Sequence, residues 1–196
     1  MKEDFMYVIR HGSAQDEKGA MGGWTETPLE AKGEKEAKEA AAKLPNDIEV
    51  IITSDLERAL ETAEIIGGIK GIPIIKDPDL RSWNMGRYEG KSPKKIEPIL
   101  EKFAADYPND RTPGGESFND YKDRFLEGIE KIKRKWKGHK IAILTHSHGT
   151  RILRAWEAAG QPRNFRLDMK EYGERPLEPG GVEKTSISVS SDNKGR

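Results

Sequence analysis

The residues best suited to chemistry are two histidines and two arginines that lie close behind predicted strands. Arg10 and His11 follow the first apolar run, His146 follows a later one, and Arg58 lies one turn into the helix after a third. Because ligands bind at the carboxyl ends of strands in open α/β sheets, we expect these side chains to lie close together. Guanidinium groups and helix N-termini bind phosphoryl oxygens. The pattern therefore predicts a site for a dianionic phosphoryl group.

The elements that must position these residues alternate between short apolar runs and longer amphipathic segments, which is typical of an α/β layered domain. Strands are predicted over residues 5–9, 48–53, 72–75, 140–145 and 185–189. Helices are predicted over residues 28–44, 54–66, 92–103, 116–136 and 149–159. Capping-box sequences at Thr27 and Ser54 begin the first two helices. The segments 10–26 and 160–181 are expected to be loops.

Length and composition favour one domain over residues 1–196. The chain of 196 residues has 34 Lys and Arg against 34 Asp and Glu, so a general nucleic-acid binder is not expected. The absence of cysteine excludes disulfides, thiolate metal sites and a cysteine nucleophile. Apolar runs stay far below the roughly 20 residues of a membrane span, and the charged start MKEDFMYVIR does not resemble a signal peptide. We therefore expect a cytoplasmic protein with no membrane partner.

Several stretches together resemble the signature blocks of the histidine phosphatase superfamily, also called phosphoglycerate mutase-like. They are VIRHGSA, WTETPLEAKGEKEA, TSDLERALETAEII, GRYEGKS, PGGESF, ILTHSHGTRILRAW and EKTSISVS. They occur in the family's order from Val8 to Val189, so the resemblance covers nearly the whole chain. It implies a three-layer α/β/α fold with a mostly parallel central sheet and an antiparallel edge strand.

The resemblance also implies a reaction, which is the metal-independent hydrolysis of phosphomonoesters through a phosphohistidine. His11 would be the nucleophile, and His146 would be the second catalytic residue, binding phosphoryl oxygens. Substrate binding would fall to four further residues, Arg10, Arg58, Gly12 and Ser13. No carboxylate cluster has the spacing of a metal site, so we expect neither a metal nor a cofactor. The expected partner is a small phosphorylated substrate, and the oligomeric state stays open.

Two histidines compete for the second catalytic position. His146 follows its strand directly and has Arg151 at the fifth position after it, as the family's block often does. His148 is followed by Gly149, which is also a family habit, and it remains the alternative. We favour His146.

One position departs from the family's pattern. A glutamate of the family protonates the leaving oxygen, whereas this chain has Ser82 at that place. A serine hydroxyl is too weakly acidic for this role, and the loss of general acid catalysis costs a factor of about 10²–10⁴ in rate. Either Glu116 or Glu89 substitutes for the missing acid, or the enzyme prefers good leaving groups, or it is a poor catalyst.

Two alternative functions follow from the same residues. The first is a cofactor-dependent phosphoglycerate mutase, although mutases of this family tend to be longer and have different residues around position 82. The second is a weakly active or non-catalytic protein that binds phosphate, which the serine at position 82 motivates. Turnover that depends on His11 would distinguish an enzyme from a binding protein.

Overall fold

The structure is a computed structural model that describes residues 4–14, 20–162, 165–167, 169–173 and 176–187. Within these residues, the strands form one mixed sheet. They are β1 Asp4–Arg10, β2 Val50–Thr53, β3 Ile74–Lys76, β4 Ile141–Thr145 and β5 Val182–Ile187. Each predicted strand therefore has a counterpart among the described residues.

The strands lie in the order β3-β2-β4-β1-β5. The pairs β2–β3, β2–β4 and β1–β4 are parallel, whereas β5 pairs antiparallel with β1. This arrangement confirms the predicted mostly parallel sheet with an antiparallel edge strand. Because β1, β4 and β2 are parallel neighbours, the residues that follow them, His11, His146 and Ser54, meet at one edge of the sheet.

Helices cover both faces of the sheet, as the three-layer prediction requires. They are α1 Ala31–Lys43, α2 Glu57–Lys70, α3 Pro93–Asp106, α4 Phe118–Lys135, α5 Ser147–Ala158 and α6 Met169–Tyr172. Two short 3-10 turns, Pro78–Leu80 and Gly86–Tyr88, lie between β3 and α3. None of the described helices is long and apolar enough to cross a membrane.

Two hydrophobic cores lie on opposite faces of the sheet. Strand β4 is buried along its whole length, because successive side chains point to opposite faces and both faces are covered. Ile141 and Ile143 pack in the core with α3, α4 and α5. Ala142 and Leu144 pack in the smaller core with α1 and α2. The two cores hold the carboxyl edge of the sheet in place from both sides.

The first two helices begin later than predicted. Helix α1 begins at Ala31 and α2 at Glu57, and the residues before them make no side-chain cap hydrogen bond. The predicted capping boxes at Thr27 and Ser54 are therefore wrong. Both hydroxyls bond to other groups, namely the guanidinium of Arg58 and an imidazole of the site described below.

The last segment also differs from the prediction. Strand β5 begins at Val182, before the predicted start at Thr185, and pairs with β1 up to Ile187. The predicted end of this strand at Val189 lies outside the described residues. The segment 160–181, which was predicted as a loop, contains the short helix α6.

Candidate active site

His11 follows β1 directly, and its ring is held in one tautomer. Nδ1 lies 2.7 Å from the carbonyl oxygen of Gly12, which can only accept, so Nδ1 carries the hydrogen. Nε2 therefore carries the lone pair, and Nε of Arg58 donates to it at 3.3 Å. Burial, followed by the charges of Arg58 and Arg10, lowers the pKa of His11 well below its usual range. A neutral imidazole in this tautomer can act as a nucleophile through Nε2.

Arg58 lies in the first turn of α2, and its side chain is only 3% exposed. Carbonyl oxygens of the loop before α1 hold the guanidinium, with Nη1 donating to Thr25 at 2.9 Å and Nη2 donating to Gly23 at 2.7 Å. Nη1 also donates to the hydroxyl of Thr27 at 3.4 Å. These contacts fix the guanidinium plane beside His11, where it can bind an oxyanion.

His146 follows β4 and is 2% exposed. Its ring lies 5.0 Å from the ring of His11, centroid to centroid. Nε2 lies 2.8 Å from the hydroxyl of Ser54, which also accepts from the backbone N–H of Leu56 at 3.4 Å. The hydroxyl can donate its own hydrogen to Nε2, and in that arrangement the ring hydrogen lies on Nδ1. Among the described residues Nδ1 has no hydrogen-bond partner, so it can donate to a ligand oxygen.

The charge state of His146 follows from its surroundings. Burial has the largest effect and, together with the charge of Arg58, lowers the pKa of His146 well below its usual range. The ring is therefore neutral, and the positive charge beside it resides on guanidinium groups.

Arg10 and Ser13 both line the cavity beside His11. Nη1 of Arg10 donates to the carbonyl oxygen of Leu177 at 2.7 Å, which orients the guanidinium. The backbone N–H and the hydroxyl of Ser13 both donate to the carboxylate of Glu36, at 2.7 Å and 3.1 Å. Ser13 is therefore anchored to α1, and its hydroxyl oxygen can still accept from a ligand.

Gly12 lies behind His11 and outside the cavity lining. Its N–H donates to the hydroxyl of Thr62 at 3.1 Å, and its carbonyl accepts from the His11 ring. A Cβ at this position would lie 2.4 Å from the carbonyl oxygen of Gly33, so the close contact with α1 requires glycine. This placement differs from the predicted substrate-binding role, because Gly12 orients the His11 ring and does not line the cavity.

The cavity has a volume of about 440 Å³ and opens at the carboxyl edge of the sheet. Its lining includes the predicted residues Arg10, His11, Ser13, Arg58 and His146. In the described part of the chain, no group of three or more His, Cys, Asp or Glu side chains is placed to hold a metal ion. The cations at the inner end of the cavity suit a phosphoryl group, whose oxygens carry negative charge.

The structure separates the two candidates for the second histidine. His148 also lines the cavity, but its Nδ1 is hydrogen-bonded to the hydroxyl of Tyr172. The two rings are stacked at 6.1 Å, and the ring of Trp83 lies edge-on to His148 at 6.0 Å. His146 is the one that lies beside His11, which favours it for the second catalytic role.

Ser82 lines the cavity and is only 5% exposed, whereas Glu116 lies outside the lining. The Ser82 carbonyl accepts from Nε1 of Trp24 at 2.8 Å and from Nη2 of Arg124 at 3.1 Å. The Glu116 carboxylate accepts from the N–H of Asn84 at 2.8 Å and from Nη2 of Arg124, also at 2.8 Å. Glu116 is thus committed to holding the chain around Ser82.

Glu89 also lies outside the cavity lining. Its carboxylate accepts from the backbone N–H groups of Trp24 at 3.0 Å and Met85 at 3.1 Å, and from the hydroxyl of Thr25 at 3.3 Å. These bonds join the loop before α1 to the segment around Met85. Like Glu116, Glu89 is placed to hold backbone and not to protonate a leaving group.

Several residues that line the cavity, or bond to a residue that does, had no role assigned to them from the sequence. Ser54 was interpreted as a helix cap, and Arg151 served only as a spacing marker for His146. Tyr172 lies in a segment predicted as a loop, where nothing in the pattern indicated a role. Arg151 and Tyr172 both line the cavity.

The fold and the site together identify the class of protein to which this chain belongs. An α/β sheet of this order, with histidines and arginines gathered at its carboxyl edge, is a phosphoglycerate mutase-like fold. The family model described as "Histidine phosphatase superfamily (branch 1)" matches residues 6–174. The chain belongs to this superfamily.

Named relatives include both phosphatases and mutases. The chain is 33% identical over 202 residues to "Probable phosphoglycerate mutase GpmB" of Escherichia coli O1:K1 / APEC, covering 94% of this chain and 93% of that protein. It is 29% identical over 157 residues to "Uncharacterized phosphatase PhoE" of Bacillus subtilis (strain 168), covering 79% of this chain and 78% of that protein. Among solved structures, Bacillus stearothermophilus YhfR matches with a TM-score of 0.77 at 30% identity, covering 95% of this chain and 92% of that chain.

Proposed function

We propose that this protein is a metal-independent phosphomonoester hydrolase that works through a phosphohistidine on His11. The observation that carries the proposal is the state of the His11 ring, which is neutral, with hydrogen on Nδ1 and the lone pair on Nε2. Arg58 donates to this nitrogen, the ring of His146 lies 5.0 Å from that of His11, and Arg10 lines the same cavity. They supply the positive charge and the hydrogen-bond donors that stabilise a phosphoryl group during transfer.

The reaction has two steps. In the first, Nε2 of His11 attacks phosphorus, the N–P bond forms, and the bond from phosphorus to the leaving oxygen breaks. The Gly12 carbonyl accepts the Nδ1 hydrogen and so stabilises the positive charge that develops on the ring. In the second step water attacks phosphorus, the N–P bond breaks, and its electron pair returns to Nε2. One proton of that water passes to solvent, which balances the proton that an alkoxide leaving group takes up after departure.

The phosphoenzyme itself tests this proposal. Brief incubation with ³²P-labelled substrate, followed by rapid denaturation, is expected to leave label on the wild type and none on His11→Asn. Hydrolysis of p-nitrophenyl phosphate by His11→Asn should fall by a factor of at least about 10³, because the attacking atom is lost. If His11→Asn retained as much ³²P as the wild type, the proposal would be contradicted.

His139→Asn is the matched control for this experiment. His139 is exposed and hydrogen-bonded to Glu49, on the surface of the molecule. His139→Asn is expected to retain the same amount of ³²P as the wild type and to hydrolyse p-nitrophenyl phosphate at the same rate.

The likeness to the protein named GpmB favours a second candidate, a phosphoglycerate mutase. In a mutase the phosphoryl group returns to a sugar acid instead of passing to water. A coupled assay with 3-phosphoglycerate distinguishes the two, since we expect inorganic phosphate and no 2-phosphoglycerate. Accumulation of 2-phosphoglycerate would favour the mutase.

A further inference from the structure

The cavity extends beyond the His11–His146 pair to a polar region that the proposed mechanism does not use. Arg151 lies there on α5, one turn after His146, and lines the cavity. Its Nε is buried without a hydrogen-bond partner among the described residues. Its guanidinium carbon lies 5.7 Å from the centre of the Tyr172 ring. The Arg151 guanidinium can therefore bind an anionic group of the ligand.

The neighbours of Arg151 do not supply that anion. His148 and Tyr172 are hydrogen-bonded to each other. Burial, followed by the charge of Arg151, lowers the pKa of His148 to about 3, so its ring is neutral. Three carboxylates line the cavity, Glu97 and Glu101 from exposed positions of α3 and Glu30 from a half-buried position at the start of α1. Within the described residues none of the three forms an ion pair with Arg151.

Among the described residues, no fully buried carboxylate lines the cavity. Ser82 lines the cavity where a family member would carry its glutamate. Glu89 and Glu116 are engaged by backbone N–H groups and lie outside the lining. The lining carboxylates Glu97 and Glu101 are exposed, and Glu30 at the start of α1 is half-buried, so none of the three is enclosed beside the phosphoryl site.

We propose that the site acts on phosphoryl compounds whose leaving group departs as an anion, without taking up a proton, and that Arg151 binds this anion. Acyl phosphates and phosphoanhydrides have this chemistry, because a carboxylate or a phosphate leaves as a stable oxyanion. The inference rests on the proposed function and narrows its substrate class. A guanidinium suits both leaving groups, since its planar donors match two oxygens at once.

The bonds, electron pairs and protons of this reaction balance without a general acid. Nε2 of His11 forms the bond to phosphorus, and the electron pair of the broken P–O bond stays on the leaving oxygen, beside Arg151. Water then forms a new bond to phosphorus, and the N–P pair returns to Nε2. One proton of that water is released to solvent, and the other remains on the hydrogen phosphate product.

A series of substrates with different leaving groups tests the proposal on the wild type. The series contains acetyl phosphate, inorganic pyrophosphate, p-nitrophenyl phosphate and glycerol 3-phosphate. We expect kcat/KM to be at least about 100-fold higher for acetyl phosphate or pyrophosphate than for glycerol 3-phosphate, the factor a general acid would otherwise supply. The first two substrates distinguish an acyl phosphate from a phosphoanhydride. Equal rates across the series, or a preference for glycerol 3-phosphate, would overturn the inference.

Ser82→Glu tests the missing acid. This variant is expected to raise kcat/KM for glycerol 3-phosphate by about 100-fold and to leave that for acetyl phosphate within a few-fold. If Ser82→Glu does not fold, the leaving-group dependence of the wild type decides alone. A fall in glycerol 3-phosphate hydrolysis in Glu30→Gln, Glu97→Gln or Glu101→Gln would identify an acid and contradict the inference.

Arg151→Gln tests the anion site, with Arg134→Gln as the matched control on the exposed surface of α4. Arg151→Gln should lower kcat/KM for acetyl phosphate and pyrophosphate by about 10-fold or more, while Arg151→Lys restores part of it. Arg134→Gln should change neither. Equal effects of the two glutamine variants would overturn the role of Arg151. If His11→Asn retained activity toward the whole series, the proposed function itself would fail, which is a separate result.

Discussion

Ser54 shows how a single hydroxyl can orient a buried imidazole of the candidate site. Its oxygen accepts from Leu56 N–H, and its hydrogen can point to Nε2 of His146. We predict that Ser54→Ala lowers kcat by about 5- to 10-fold with little change in KM, because the ring loses the bond that fixes its tautomer. Ser54→Thr should restore most of the rate. Steady-state kinetics over a range of pH would measure the effect, and an unchanged pH profile of kcat would count against it.

Ser117→Ala provides the comparison for Ser54→Ala. Ser117 is also buried, but it caps α4 by accepting from Asp120 N–H at 3.0 Å. Its loss should cost about 1 kcal/mol of unfolding free energy and leave kcat unchanged. A comparable fall in kcat in both variants would show that the Ser54 effect is structural.

The sequence predicted the charged residues of the site better than its small polar ones. Arg10, His11 and His146 stand out because charged or titratable side chains directly follow apolar runs. Ser54 and Thr27 did not, since a hydroxyl before a helix has the same local pattern whether it caps that helix or bonds to a distant side chain. Only the three-dimensional packing of other segments decides between these uses.

At the level of elements, α1 and the segment after β1 approach so closely that a glycine is required. A Cβ at Gly33 would lie 1.9 Å from the carbonyl oxygen of Ser13. We predict that Gly33→Ala lowers the free energy of unfolding by about 2 kcal/mol, despite the better helix propensity of alanine. It should also lower kcat/KM, because Ser13 and His11 move together. Urea denaturation and kinetics of the same preparation would measure both effects.

Gly68→Ala in α2 is the control, because nothing lies within 4 Å of a Cβ at that position. It should raise the free energy of unfolding by about 0.5–1 kcal/mol and leave kcat unchanged. A destabilisation of equal size in both variants would exclude the close contact at Gly33 as the cause.

Most strands and helices were predictable from the sequence, whereas the residues at which they begin and end were not. The strands stand out because central parallel strands are buried on both faces and form short continuous apolar runs. Helix starts depend on which distant groups compete for the capping side chains, and this information is not local. The short helix α6 was missed because four residues are too few to show a helical period.

At the scale of the molecule, one buried imidazole (His146) and two half-buried ones (His11 and His148) make stability depend on pH. Burial lowers the pKa of His11, His146 and His148, so the folded protein resists protonation that the unfolded chain accepts near pH 6.5. The unfolded state then binds more protons, and the free energy of unfolding falls as pH drops below 6.5. For His148, whose pKa is about 3, this loss reaches about 2 kcal/mol at pH 5.

Urea denaturation at pH 7.5 and pH 5 of the wild type and His148→Asn measures this contribution. The fall in unfolding free energy between the two pH values should be smaller in the variant by about 2 kcal/mol. Carboxylates titrate in both proteins and cancel in the difference. An equal fall in both would show that His148 is not protonated on unfolding.

The bonds of Glu89 have a consequence for engineering. This carboxylate joins the backbone at Trp24 to that at Met85, and Nε1 of Trp24 reaches the Ser82 carbonyl. Two segments far apart in the chain are therefore held together by one carboxylate. Replacing either segment alone with that of a homologue would break its bonds to the other. A chimaera meant to change selectivity should exchange both segments at once.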